Sequence, residues 1–139
     1  MYRNPDDAEI KYLLEGSRNV AVVGLSDRPY RTSHGVARAL QGFGYRIFPV
    51  NPNLTGPVLG EKPYASVEEI PEQVDIVDVF RRSEFTPPVA RDAVAAGAKV
   101  LWLQLGVVNE EAARYAEEHG LTVVMDRCLK ADHPLLVGR

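Results

Sequence analysis

The sequence predicts an α/β protein: a Rossmann-like five-stranded parallel sheet with helices on both faces. Five short apolar runs, rich in Val and Ile, begin roughly 25 residues apart, which is the length of a compact βα unit. The runs show no strict alternation of apolar and polar residues, as expected for strands that are covered on both faces. Helix signals fill the segments between them, and alternating β and α elements with right-handed crossovers build a parallel sheet.

The strands are predicted at 19–24, 45–50, 75–80, 99–105 and 122–125. We predict the Rossmann-like strand order 3-2-1-4-5, with the flavodoxin-like order as the alternative. Residues 1–139 are expected to form one domain, since that length suits a single core.

The helices are predicted from their apolar stripes and their caps. Asn109 caps a helix with an acidic first turn, and a capping box at 66–69 opens a short helix that Pro71 ends. The predicted helices cover residues 6–15, 33–42, 66–69, 86–96 and 110–119. Residues 126–139 are predicted to form an irregular tail over the sheet.

Composition excludes several classes of protein. The chain is 45% hydrophobic and 25% charged, close to the soluble average, and no apolar run approaches the roughly 18 residues of a membrane span. Its acidic, signal-free N-terminus and its single cysteine, Cys128, predict a cytoplasmic location. A net charge of −3 argues against a nucleic-acid partner. We therefore expect a ligand-binding domain that engages neither nucleic acid nor a membrane.

The ligand is expected at the carboxyl ends of the strands, where sheets of this class bind their ligands. Four predicted strand ends are polar or carry glycine: 24–26, 51–53, 80–82 and 104–106. Each one alone is also consistent with an ordinary strand-to-loop transition. Together they are stronger, because one fold brings them to one edge.

The loop after the first strand predicts a phosphate site. It lacks the G-x-G-x-x-G fingerprint of dinucleotide sites, and it carries arginines that bind phosphate through bidentate hydrogen bonds. The N-terminus of the next helix also attracts anions. Solvated arginines are the alternative interpretation. The candidate residues are Gly24, Leu25, Ser26, Arg28, Tyr30, Arg31 and Ser33.

The second strand ends in Asn51 and Pro52, without the carboxylate that holds the ribose hydroxyls in ordinary NAD sites. This departure disfavours NAD and still permits a ligand with a phosphorylated ribose. A simple turn is the alternative interpretation, because this residue pair commonly starts one.

The third strand ends in Phe80, Arg81 and Arg82. The two cations are candidates for further phosphate contacts, and Phe80 is a candidate to flank a base. Adjacent residues point in different directions, so we expect only one arginine to reach the ligand. The alternative is that one of them pairs with Glu84 or Asp78.

No nucleophile–base pair can be assembled from the sequence. His119 is expected to stabilise the end of its helix, and Cys128 has no neighbouring histidine or helix start that would activate its thiol. The acidic, cysteine and histidine residues of 126–133 fit no zinc-binding pattern. We therefore predict a binding module without catalytic machinery of its own and without a metal.

Five stretches together resemble the small stand-alone CoA-binding proteins of bacteria, which are similar to the CoA-binding domain of the succinyl-CoA synthetase α subunit. They lie at residues 20–26 (VAVVGLS), 50–52 (VNP), 74–82 (VDIVDVFRR), 97–106 (GAKVLWLQLG) and 124–128 (VMDRC). The resemblance implies that residues 26–33 grip the nucleotide. It also implies that the end of the fourth strand, Gln104, Leu105 and Gly106, touches CoA.

The resemblance does not imply ligase activity. The synthetase's phosphohistidine domain and its nucleotide-grasping chain have no counterpart in these 139 residues, and Asn51 and Pro52 stand where the synthetase has a basic CoA contact. We therefore expect coenzyme A or an acyl-CoA as ligand. The alternatives are an NADP(H)-dependent enzyme or redox sensor, and a regulatory subunit that docks on an acyl-CoA enzyme; a protein partner or a homodimer stays open.

Overall fold

The computed structural model describes residues 2–138 and confirms the α/β prediction. Five parallel strands form one sheet in the order β2-β1-β3-β4-β5. The strands are β1 (Asn19–Val23), β2 (Arg46–Val50), β3 (Ile76–Val79), β4 (Val100–Leu103) and β5 (Thr122–Met125). Apart from the first residue of β1, β2 and β5, every strand residue is buried. The sheet is therefore the core of the protein and the scaffold for its carboxyl edge.

Helices cover both faces of this sheet. The helices are α1 (Asp7–Glu15), α2 (Thr32–Gly42), α3 (Thr86–Ala95), α4 (Glu110–Glu118) and α5 (Leu129–Leu136), with 3-10 turns at Val67–Glu69 and Ser83–Phe85. The apolar sides of α1, α2 and α5 pack on the face that carries Val22 and Trp102. Those of α3 and α4 pack on the face that carries Val23 and Leu103. None of the helices within 2–138 is long and apolar enough to cross a membrane.

The predicted strand order 3-2-1-4-5 is wrong, and the flavodoxin-like alternative is the one observed. The reason is Pro49 in the middle of β2. Its carbonyl oxygen accepts from the Tyr64 N–H at 2.9 Å on the outer side of the sheet, and a residue's N and C=O point to the same side of a strand. The missing N–H of Pro49 therefore faces outward, where an interior strand would need it for pairing. Pro49 makes β2 an edge strand, so the next strand joins the other side of β1.

The predicted irregular tail is also wrong, because residues 129–136 form α5. Pro134 lies inside this short helix. Because proline is unfavourable inside helices, the sequence pattern does not predict a helix here. Packing holds it: Leu129 is fully buried, and the His133 ring stacks on Phe43 with centroids 4.2 Å apart. Before the helix, Arg127 Nε donates to Asp132 at 2.7 Å. Arg139, the last residue of the predicted tail, lies outside the described residues.

Candidate functional site

A cleft of about 440 Å³ opens at the carboxyl ends of β1 and β3. Its lining combines the β1–α2 loop, the first residues of α2 and the end of β3. The lining residues are Gly24, Ser26, Arg28, Arg31, Thr32, Ser33 and Phe80. All except Thr32 belong to the sequence-predicted set. Thr32 lies within the range 26–33 that the resemblance implies, but it is not among the loop candidates named one by one.

The N-terminus of α2 faces this cleft without a cap. Arg31 occupies the N-cap position, and within residues 2–138 no side chain hydrogen-bonds to the first turn as a cap; that turn also carries no acidic residue. The first N–H groups of an α-helix have no partner inside the helix, and the helix dipole makes this end positive. With Arg28 and Arg31 beside it, the cleft is a strongly anion-attracting surface.

Hydrogen bonds inside the β1–α2 loop fix its shape. The Ser26 N–H donates to Ser33 Oγ at 3.0 Å, and the Arg28 N–H donates to Ser26 Oγ at 3.1 Å. The Arg31 N–H then donates to the Arg28 carbonyl at 3.0 Å. Ser26 and Ser33 thus stabilise the loop conformation that presents the cations.

Tyr30 positions both arginines. Its hydroxyl accepts from Arg28 Nη1 at 3.1 Å, and the Arg31 guanidinium lies 5.9 Å from its ring centroid. The ring itself is 74% exposed, so it contributes little to the core. A cation near an aromatic face is attracted by the ring, and Tyr30 therefore holds the two positive charges at the mouth of the cleft.

Gly24 lets the ends of β1 and β3 approach each other. It has φ of +84°, and a Cβ built there would collide with the Phe80 carbonyl oxygen. Its N–H donates to the Val50 carbonyl at 2.8 Å, and the Phe80 N–H donates to the Val23 carbonyl at 2.8 Å. Only glycine fits this close approach at a positive φ. Leu25, the next residue, is fully buried and belongs to the core.

The end of β2 supports the cleft from the side. Asn51 Nδ2 donates to the Leu25 carbonyl at 3.1 Å, and Asn51 Oδ1 accepts from the Asn53 N–H at 3.0 Å. The Asn51 side chain therefore starts a turn and ties it to the β1 loop, as the alternative interpretation of this residue pair expects.

Pro52 and Arg81 come together in a second, smaller hollow of about 60 Å³ at the same edge. Asp92 also lines it, and the pKa of this carboxyl is raised by burial and by Glu68 and lowered in part by Arg91. Among the described residues 2–138, Arg82 belongs to the lining of neither this hollow nor the cleft. Of the two adjacent arginines, Arg81 is the one that lines the hollow, and Asp78 pairs with neither of them.

Gln104 and Gly106 lie at the end of β4, outside the cleft. Gln104 is 4% exposed, and its Oε1 has no hydrogen-bond partner among the described residues. The Gly106 N–H donates to Asp126 Oδ1 at 2.8 Å. The structure thus places both residues at the predicted edge and not at the phosphate loop.

Residues 18–134 match the family whose model is described as the CoA binding domain. The chain therefore belongs to this CoA-binding domain family, which confirms the resemblance found in the sequence. It is 52% identical over 131 residues to the uncharacterized protein YneT of Bacillus subtilis, covering 94% of this chain and 96% of that protein. A solved hypothetical protein from Pyrococcus horikoshii OT3 matches with a TM-score of 0.93 and 36% identity over 99% of both chains.

Larger CoA ligases contain a similar unit. The chain is 33% identical over 114 residues to the α subunit of ADP-forming acetate–CoA ligase I from Pyrococcus furiosus, covering 73% of this chain and 24% of that one. A solved dinucleotide-forming acetyl-coenzyme A synthetase 1 from Ca. Korarchaeum cryptofilum matches at 27% identity and a TM-score of 0.70, over 78% of this chain and 26% of that one. This chain thus spans about a quarter of those two enzymes.

Proposed function

We propose that this chain binds coenzyme A or an acyl-CoA, with phosphate groups in the cleft between the β1–α2 loop and Phe80. One observation carries the proposal: a member of the CoA-binding domain family has an uncapped helix N-terminus and two arginines around a single cleft. The acetate–CoA ligases that share this unit carry CoA in their names, which supports CoA as the class of ligand here.

The chemistry of the cleft suits a pyrophosphate. The N–H groups of Thr32 and Ser33 are at the uncapped start of α2, where phosphate oxygens accept hydrogen bonds readily. Arg28 and Arg31 supply charge-assisted, bidentate donors. Phe80 offers an aromatic face beside them, and Arg81 with Pro52 provides a second anchoring point for the rest of the nucleotide.

We also propose that the chain recognises its ligand without transforming it. Among the described residues that line the cleft, none is a histidine, a cysteine or a carboxylate. The hydroxyls of Ser26 and Ser33 accept hydrogen bonds from the loop backbone. An activated nucleophile needs an adjacent base, and residues 2–138 also contain no cluster of three metal-ligating side chains.

Titration calorimetry with CoA tests the proposal, and we expect one site per chain. Arg31→Ala should weaken CoA binding about tenfold or more, because it removes charge-assisted hydrogen bonds to phosphate. Arg38→Ala is the matched control: Arg38 is an exposed arginine further along α2 that does not line the cleft. Its affinity should match that of the unaltered protein.

Two further titrations separate the ligand classes. Dephospho-CoA tests whether the 3′-phosphate contributes, and NADPH tests the dinucleotide alternative. Tighter binding of NADPH than of CoA would overturn the proposal in favour of an NADP(H) protein. Equal CoA affinity of Arg31→Ala and Arg38→Ala would remove the α2 cleft from the site.

A further inference from the structure

Three large apolar side chains are exposed on two adjoining loops at the carboxyl edge of the sheet. Phe85 is 55% exposed, Leu105 is 66% exposed and Val108 is 46% exposed. We call these three residues the apolar rim. Scattered exposed hydrophobics are ordinary in soluble proteins, whereas a group of them beside a cleft marks a binding surface.

Hydrogen bonds connect the two loops that carry the apolar rim. The Val108 N–H donates to Ser83 Oγ at 2.9 Å, and Asn109 Nδ2 donates to the Ser83 carbonyl at 2.9 Å. These bonds tie the loop after β4 to the 3-10 turn that carries Phe85. The Val107 N–H donates to the Gln104 carbonyl at 2.8 Å, which closes a tight turn with Leu105 at its tip. The exposure is therefore built into fixed turns.

An unpartnered acceptor lies between the cleft and the apolar rim. β3 and β4 pair Val79 with Leu103, so one step further Phe80 of the cleft stands opposite Gln104. Gln104 Oε1 is buried and has no hydrogen-bond partner within the described part of the chain. A buried polar atom without a partner costs free energy, so a ligand N–H that reached Gln104 Oε1 would stabilise the complex.

We propose that the apolar rim holds the acyl group of a CoA thioester, so that the ligand is an acyl-CoA with an apolar acyl chain in preference to free CoA. This inference rests on the proposed function. From β1 to β4 the carboxyl edge spans two strand spacings, about 10 Å in all. Along it lie first the arginines of the β1–α2 loop, then the unpartnered Gln104 Oε1, and then the apolar rim. An acyl-CoA presents phosphates, then amide N–H groups, then acyl carbon, in the same order.

Titration with CoA, acetyl-CoA, butyryl-CoA and hexanoyl-CoA tests the inference. Each methylene buried on the rim should raise the affinity about two- to fourfold. Phe85→Ser and Val108→Ser should remove most of that gain while leaving the affinity for free CoA unchanged, because neither residue is among the expected CoA contacts. Leu135→Ser is the control, because Leu135 is 79% exposed on α5 and is not part of the rim. It should keep the full chain-length dependence.

The outcomes distinguish failure of the acyl site from failure of the proposed CoA-binding function. Absence of CoA binding would end the proposed function itself. Binding of CoA with equal affinity for every acyl chain would overturn only the acyl site. Sedimentation velocity tests whether a second copy of the chain occupies the rim instead. If the protein self-associates, and Phe85→Ser abolishes this association without changing acyl-CoA affinity, the rim is a contact between copies. That result would overturn the inference.

Discussion

At the scale of single residues, Asp78 is the carboxyl group least expected where it lies. It occupies the middle of β3 between Val22 and Trp102, with a side chain that is fully buried. Neither carboxyl oxygen has a hydrogen-bond partner within residues 2–138. Burial raises the pKa of Asp78 well above its ordinary value, and the Val79 backbone lowers it by less. Burial therefore favours the neutral form of this carboxyl group in the folded protein.

The raised pKa of Asp78 makes the stability of the protein depend on pH in a definite direction. The pKa of Asp78 is higher in the folded protein than in the unfolded chain. The contribution of this carboxyl to the free energy of unfolding is therefore complete below the unfolded pKa, about 3.9, and is lost as pH rises toward the folded pKa. Asp78→Asn cannot titrate. As pH rises through this window, we expect the free energy of unfolding of Asp78→Asn to increase relative to that of the unaltered protein by about 1.4 kcal/mol for each pH unit. Urea unfolding at a series of pH values measures the gap.

The control for this experiment is Leu135→Ser, at an exposed residue of α5. This substitution adds and removes no titratable group, so its unfolding free energy should run parallel to that of the unaltered protein as pH changes. If the curve for Asp78→Asn ran parallel as well, the Asp78 carboxyl would be charged in the folded state, and the neutral form would be ruled out.

At the scale of elements, the sequence predicts the strands, four of the five helices and the edge where the cleft forms. These elements are marked by apolar runs and caps, such as Asn109, whose side chain accepts from the Ala112 N–H at 2.8 Å. Strand order is set by contacts between distant segments, yet Pro49 was a local signal that β2 lies at an edge. By contrast, α5 depends on burial of Leu129 in the core and on stacking of His133 on Phe43. These contacts join segments that are far apart in the sequence, so no local pattern predicts them.

The same limit applies to the site. The β1–α2 loop was predicted because glycine, arginines and a helix start adjoin in the sequence. The role of Tyr30 as a support for two arginines, and of Asn51 as a tie between loops, depends on distances that only the folded chain defines. The apolar rim was missed because its residues come from two loops, and a single exposed Leu or Val carries no signal.

The outer edge of β5 is closed by the N-terminal segment. The Asn4 side-chain amide makes the pair of hydrogen bonds that the backbone of a neighbouring strand would make. Its Nδ2 donates to the Met125 carbonyl and its Oδ1 accepts from the Met125 N–H, both at 2.8 Å. The Tyr2 hydroxyl donates to the Val123 carbonyl. Burial, and secondarily Glu117, raise the pKa of Tyr2 to about 12, so this donor keeps its proton. An uncovered strand edge is a template for aggregation.

Asn4→Ala should destabilise the protein by about 1–2 kcal/mol, because it leaves both Met125 backbone groups without their partner. Hydrogen exchange measured by NMR should show faster exchange of the Met125 amide, while the amides of β1 and β3 stay protected. Asn53→Ala is the control, since Asn53 is an exposed loop residue. Unchanged Met125 protection in Asn4→Ala would mean that the N-terminal segment does not close this edge in solution.

At the scale of the whole molecule, an acidic protein is proposed to bind a multiply charged anion. The chain carries a net charge of −3, which repels such a ligand at long range. Near the cleft, Arg28, Arg31 and the α2 dipole act at contact distance. Since charges separated by more than about 10 Å are largely screened at 0.1 M salt, the local attraction outweighs the overall repulsion when the ligand is bound.

The salt dependence of CoA binding distinguishes these two effects by its sign. If the cleft dominates, raising KCl from about 50 mM to about 500 mM should weaken binding several-fold, because added salt screens the contact between guanidinium and phosphate. Arg31→Ala should show a shallower dependence, and Arg38→Ala should follow the unaltered protein. If the net charge dominated, salt would instead strengthen binding by screening the repulsion. Calorimetric titrations across the salt series therefore test whether the arginines of the β1–α2 loop bring the anion in.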